Sequence, residues 1–250
     1  RVFRDLAEGL ASQGVAVLRY EKRTRAHPAS FIGTFTVNEE TVDDAVMAVE
    51  LLRARPELAG NRVYVLGHSL GGMLAPRIAR RDSAVAGLVI MAGTTRPLED
   101  VILEQTTYLA TLPGNDTPAA REQFAALRAA AARVRALTPA DSASTSPVMG
   151  APAAYWLDLR AYHPAETAGA LRVPMLVLQG ERDYQVTMAD FDGWRRTLAG
   201  RANVTLKTYP GLNHLFVSGT GPSMPAEYAA TAHVAPGVVD DIARWITTRR

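Results

Sequence analysis

The sequence predicts an α/β fold, with a mostly parallel sheet covered by helices on both faces and interrupted by a long helical insertion. Three observations carry this. Apolar β-branched runs alternate with stretches of helical periodicity. Five strand-like runs separated by helical stretches indicate a parallel sheet covered on both faces. One interval, 94–172, breaks the alternation and holds helical patterns only.

In chain order, Phe3, Leu6, Ala7 and Leu10 form one face of a helix at 3–12, which Gly14 can close. The run "VAVLRY" at 15–20 predicts a buried strand. A polar loop through His27 and Pro28 leads to a helix at 38–53, where Val42, Ala45, Val46, Val49 and Leu52 recur at helical spacing. Strands follow at 62–67 and 87–93, then after the insertion at 175–180 and 204–210, giving five in all. Helices are expected at 190–198 and 238–247. Within the insertion, helical patterns cover 98–112, 119–137 and 153–162, separated by proline- and serine-rich breaks. The division predicted is a core of 1–94 and 173–250 with a helical lid at 95–172.

Composition removes several functions. The chain has 250 residues, 48% of them hydrophobic, and a formal net charge of +2 with no dense basic tract. That gives no electrostatic case for nucleic-acid binding. No apolar run approaches the roughly 20 residues of a membrane span. There is no cysteine, so disulfides, thiolate metal sites and a cysteine nucleophile are excluded. No histidine pair has helix-ligand spacing and no acidic cluster has cation-loop spacing, so no metal is implied. Neither compartment nor oligomeric state is assigned by the sequence.

The chemistry centres on "VLGHSLGG". Gly67-His68-Ser69-Leu70-Gly71 fits G-x-S-x-G between a strand and a helix, the context of a nucleophile elbow. Such a turn strains the serine backbone and presents Oγ at the carboxyl end of the sheet, where side chains at Gly67 and Gly71 are expected to clash. The alternative is that Ser69 only caps the helix. The N–H of Leu70, at the helix start, is placed to stabilise an oxyanion. Pro76 falls inside this helix, either as a kink or within its loosely bonded first turns.

A serine hydroxyl needs a base, and the base needs an orienting acid. Asp183 and Glu181 follow the strand at 175–180, and His214 follows the strand at 204–210. Asp183 is preferred as acid because the loop at that point can turn toward a histidine, whereas Glu181 is still leaving the strand. His214 is preferred as base, with His233 its rival; His27, His68 and His163 are read as local packing or loop residues. In the insertion, Met149, Tyr155 and Trp156 fit either a substrate pocket or the insertion's own core, and Tyr108 is a further pocket candidate. Phe124 is read as core. Arg121, Arg128 and Arg135, a heptad apart, read as a solvated face rather than an anion site.

Read together, "GHSLGG", "GERDYQV" and "GLNHLF" in that order resemble the α/β-hydrolases, and "LASQGVAVLRYEKR" is similar to bacterial serine esterases of the dienelactone-hydrolase-like kind. The resemblance covers nearly the whole chain. It implies hydrolysis of a small-molecule ester through an acyl-enzyme without a cofactor, with Ser69 as nucleophile, Asp183 as triad acid, His214 as base and Leu70 as one oxyanion donor. It also implies three strands before the helix at 3–12, one of them between the strands at 15–20 and 62–67, followed by a loop bearing the second oxyanion donor. The sequence contains none of these, so an upstream segment is expected. A peptidase or acyltransferase using the same triad is the competing enzyme reading. A binding module with impaired catalysis is the non-enzymatic one. Haloalkane dehalogenation is disfavoured, since it needs an aspartate where Ser69 stands.

Overall fold

A computed structural model describes residues 2–58, 60 and 62–248. The chain forms two compact units, one of Arg1–Tyr20, Ala45–Thr95 and Pro164–Arg250, the other of Glu21–Asp44 and Arg96–His163.

The first unit is built on a four-stranded, all-parallel sheet in the order β1 (Tyr64–His68), β2 (Gly87–Met91), β3 (Met175–Gly180) and β4 (Val204–Tyr209). Strand alternation divides its side chains between two faces. Val65, Leu88, Ile90, Met175 and Val177 share one face, packed with Val49, Ala75, Ala79, Ala168, Phe191, Trp194 and Leu198. Those partners come from α3 (Asp43–Arg53), α4 (Leu70–Arg81), α8 (Pro164–Ala170) and α9 (Met188–Leu198). On the other face, Tyr64 meets Trp245 edge to face at 5.7 Å. Trp245 belongs to α11 (Pro236–Thr247), which packs against α1 (Val2–Ala11) closely enough that a Cβ on Gly9 would lie 2.7 Å from Val239. The helix α1 buries Val2, Leu6 and Leu10, and leaves Phe3 49% exposed.

The second unit holds α2 (Arg23–Ala26), a π-helical turn at Asn38–Val42, and the helices α5 (Leu98–Thr111), α6 (Pro118–Ala136) and α7 (Ala153–Arg160). The Thr117 hydroxyl accepts from the Ala120 N–H and caps α6. Residues 21–44, read from the sequence as a loop and a helix start, thus group with the insertion.

Two expectations fail here. Residues 15–20 form no strand, and Val17, Leu18 and Tyr20 are 40%, 37% and 50% exposed. A strand forms only by pairing with a neighbour. Among the described residues β1 pairs with β2 alone, and a groove of about 440 Å³ lined by Val15–Arg19 and by Val63, Tyr64 and Leu66 lies where ladder bonds would run. The sheet therefore has four strands where five were expected. The short helices α8 and α10 (Pro225–Ala229) were not anticipated. Pro76 neither ends nor interrupts α4, which runs continuously through it with the proline buried.

Candidate active site

Every element of the site belongs to the first unit. The strand β1 ends at His68 and α4 begins at Leu70, so the chain reverses at the single residue Ser69. Ser69 has φ 57° and ψ −121°, a left-handed geometry that costs a residue with a Cβ on the order of 1–3 kcal/mol. The Ser69 N–H donates to the Met91 carbonyl at 2.9 Å and anchors the turn to the end of β2. The Ser69 side chain makes no cap hydrogen bond to α4, which removes the capping alternative.

The steric demand is divided differently from the motif. A Cβ on Gly67 would lie 2.0 Å from the Gly71 carbonyl oxygen, and one on Gly72 would lie 3.0 Å from Gly93 Cα and from the Met91 carbonyl oxygen. A Cβ on Gly71 meets nothing within 4 Å, contrary to the expectation that it would clash. The second crowded position is Gly72, because α4 crosses the end of β2 there.

Asp183 and His214 meet directly. His214 Nδ1 donates to Asp183 Oδ2 at 2.7 Å, with both residues buried. Asp183 Oδ2 also accepts from Gln179 Nε2 at 3.2 Å, while Oδ1 accepts the Gln185 and Val186 N–H groups at 2.8 and 3.0 Å. Four donors fix the carboxylate in place. Because Nδ1 carries the donated hydrogen, Nε2 of a neutral His214 is left as an acceptor.

Backbone contacts join the acid and base loops. Arg182 N–H donates to the Leu212 carbonyl at 3.0 Å and Glu181 N–H to the Tyr209 carbonyl at 3.0 Å. A Cβ on Gly180 would lie 2.5 Å from the Leu212 oxygen and 2.7 Å from the Asn213 oxygen, so only glycine lets β3 end this close to the base loop. The base loop is tied in turn to the serine turn. His68 Nε2 donates to the His214 carbonyl at 2.7 Å, and the two rings lie 4.6 Å apart. Loss of solvation, followed by the adjacent His214 ring, pushes the His68 pKa down to about 3, against the opposing hydrogen bond to the His214 backbone. His68 is therefore neutral at ordinary pH and adds no positive charge beside His214.

The rival residues lie elsewhere. Glu181 accepts from the Thr208 hydroxyl at 2.6 Å. His233 Nδ1 bonds Asp5 at 3.1 Å on the surface. In the second unit, the Tyr155 hydroxyl donates to Glu40 at 2.9 Å and Trp156 Nε1 donates to the Val148 carbonyl at 2.7 Å. Both rings are buried there, and burial, then the negative Glu40, raises the Tyr155 pKa. Met149 is half-buried at a positive φ of 48°. Arg121 pairs with Asp116 and Arg135 with Asp100, while Arg128 lies over the Phe124 ring at 5.9 Å. Among the described residues, no group of three His, Asp or Glu side chains is placed to hold a metal ion, and no helix is long and apolar enough to cross a membrane.

Comparison with known proteins adds independent findings. The family model Hydrolase_4, described as serine aminopeptidase, S33, matches residues 1–219. The chain is 44% identical over 246 residues to Esterase EstD of Thermotoga maritima, covering 98% of this chain and 57% of that protein. It thus spans little more than half the length of this relative. Among solved structures it is similar to Est1E from Butyrivibrio proteoclasticus, with a TM-score of 0.59 and 14% identity, covering 100% of this chain and 83% of the other. The esterase domain of a Rhodothermus marinus protein gives a TM-score of 0.55 and 17% identity, covering 98% of this chain and 79% of the other. At these identities the structural likeness speaks for the fold.

Proposed function

Because the chain belongs to the Hydrolase_4 family of α/β-hydrolases, we propose that it is a serine hydrolase cleaving small to medium uncharged carboxylic esters. The observation that carries this reading is the 2.7 Å Asp183–His214 hydrogen bond, on a base loop bonded to the residue preceding a strained serine. The name of the 44% identical relative, an esterase, supports an ester as substrate.

In this reading His214 Nε2 takes the Ser69 Oγ proton as Oγ attacks the ester carbonyl carbon. The negative charge developing on the carbonyl oxygen accepts a hydrogen bond from the Leu70 N–H, at the first position of α4, where a helix supplies its N–H groups with no intrahelical acceptor. Asp183 holds the imidazole in the required tautomer and stabilises the imidazolium. Collapse breaks the bond to the alkoxide, which takes the proton from His214 and leaves as the alcohol. Water, deprotonated by His214, then attacks the acyl-serine and releases the acid.

The family's description names a peptidase, which favours amide cleavage as the second reading. Both are tested by kcat/KM on p-nitrophenyl butyrate and on aminoacyl p-nitroanilides, with Ser69→Ala as control. Ester turnover abolished by Ser69→Ala supports the proposal. Turnover of the anilides alone favours the peptidase, and full ester turnover in Ser69→Ala overturns the mechanism.

A further inference from the structure

The helix α10 reaches both loops that carry the Asp183–His214 pair, through one side chain. Glu227 Oε1 accepts from Arg182 Nη2 at 2.6 Å, and Oε2 accepts from Asn213 Nδ2 at 2.9 Å. Arg182 directly precedes Asp183, and Asn213 directly precedes His214. Each partner is fixed on its own side. Arg182 Nε donates to the Gly221 carbonyl at 2.7 Å and Nη2 to the Thr220 carbonyl at 3.1 Å. The fully buried Asn213 accepts the Leu215 and Val217 N–H groups on Oδ1, at 3.0 and 3.2 Å. Next to Glu227, Tyr228 meets Tyr184, the residue after Asp183, edge to face at 5.8 Å.

We propose that Glu227 is a positioning residue, a two-sided clamp that sets the separation of the acid and base loops. The inference rests on the serine-hydrolase reading above. A carboxylate suits the task because it offers two acceptor oxygens and no donor. Both neighbours present donors, so a neutral amide can satisfy one and must oppose the other. Burial alone would raise the Glu227 carboxyl, but hydrogen bonds from Arg182 and Asn213 outweigh it and hold the pKa below the usual glutamate range. The clamp is therefore charged at neutral pH. Its charge also offsets Arg182, which would otherwise stand uncompensated one residue from Asp183 and disfavour a cationic His214.

The test is Glu227→Gln in the full chain, with kcat and KM for p-nitrophenyl butyrate normalised to sites titrated by a fluorophosphonate. The expected result is a kcat per titrated site lowered about tenfold with KM within about twofold, since misplaced groups cost rate more than binding. The ascending limb of the pH–rate profile should also move to lower pH, because His214 loses a compensating negative charge. Glu227→Asp, which keeps the charge, should return the limb toward its original position. A residue that only stabilised the fold would lower Tm and leave both quantities in place, and that result overturns the proposal. Should Glu227→Gln fail to fold, Arg182→Lys keeps both charges but cannot make the two-pronged contact of Nη2 with Glu227 Oε1 and Nη1 with Oε2 at 3.3 Å; it should lower kcat per titrated site with the limb in place, and an unaltered kcat overturns the proposal. Unaltered turnover in Ser69→Ala would bring down the serine-hydrolase reading itself. An inactive Ser69→Ala beside a fully active Glu227→Gln would bring down the clamp alone.

Discussion

Gly67 and Gly71 occupy equivalent places in the G-x-S-x-G pattern, yet the structure assigns them opposite responses to alanine. A Cβ on Gly67 would lie 2.0 Å from the Gly71 carbonyl oxygen, 2.3 Å from its carbon and 2.7 Å from the Gly72 nitrogen. All three are backbone atoms, so no side chain can swing aside. Restoring contact to about 3 Å requires roughly 1 Å of separation between β1 and α4, at the top of the ordinary overpacking range, about 3 kcal/mol or more. For a chain of this size that lowers Tm by about 6–12 °C. Gly71→Ala meets open space inside a helix and exchanges a poor helix former for the best, a gain of about 0.4–1 kcal/mol, or about 1–4 °C. Scanning calorimetry on the two variants, with fluorophosphonate labelling rates, measures both. Gly67→Ala should be destabilised and label slowly, whereas Gly71→Ala should be as stable as the parent or more so and still label. Equal losses in both variants, or a Gly67→Ala indistinguishable from the parent, would refute the steric reasoning.

Other substitutions probe the rest of the site. In Asp183→Asn the amide oxygen keeps the Gln185 and Val186 N–H bonds, which turns the NH2 group toward His214 and forces the tautomer with hydrogen on Nε2. Ester kcat should fall roughly 10⁴-fold, the scale of loss for this change in such a triad, while His233→Ala leaves kcat unaltered. His68 has a folded pKa of about 3 against 6.5 unperturbed. The unfolded chain therefore binds the extra proton between those values, and the contribution of neutral His68 is complete above pH 6.5 and lost as pH falls toward 3. By linkage that loss is at most about 5 kcal/mol, and urea titrations of His68→Gln should show a flatter decline over this window. Trp156→Phe removes one of the two donors to the Val148 carbonyl, the Ala151 N–H at 3.1 Å remaining, and chemical denaturation should show a loss of about 0.5–1.5 kcal/mol.

The sequence made the candidate triad legible because each member sits in a local pattern at the end of a strand. Ser69 follows β1, Asp183 follows β3 and His214 follows β4, so knowing the strands sufficed to place all three at one edge. What was not legible depends on partners distant along the chain. Residues 15–20 have strand composition, but a strand needs a neighbour and composition does not supply one. Gly71 and Gly72 are indistinguishable until the crossing of α4 over the end of β2 is known. Glu227 lies in a short helix with no periodicity and no motif, and its significance arises only where Arg182 and Asn213 converge on it. The burial of Tyr155 and Trp156 likewise follows from Glu40 and the Val148 turn, which no spacing relates to them.

The central claim is that the Asp183–His214 pair activates Ser69. The most direct measurement is the rate and site of fluorophosphonate labelling, read by peptide mapping, in the parent chain and in His214→Ala. The account predicts a single label on Ser69 that forms at least about 10³-fold more slowly without His214. A label on another residue, or a Ser69 label formed equally fast in His214→Ala, would contradict it.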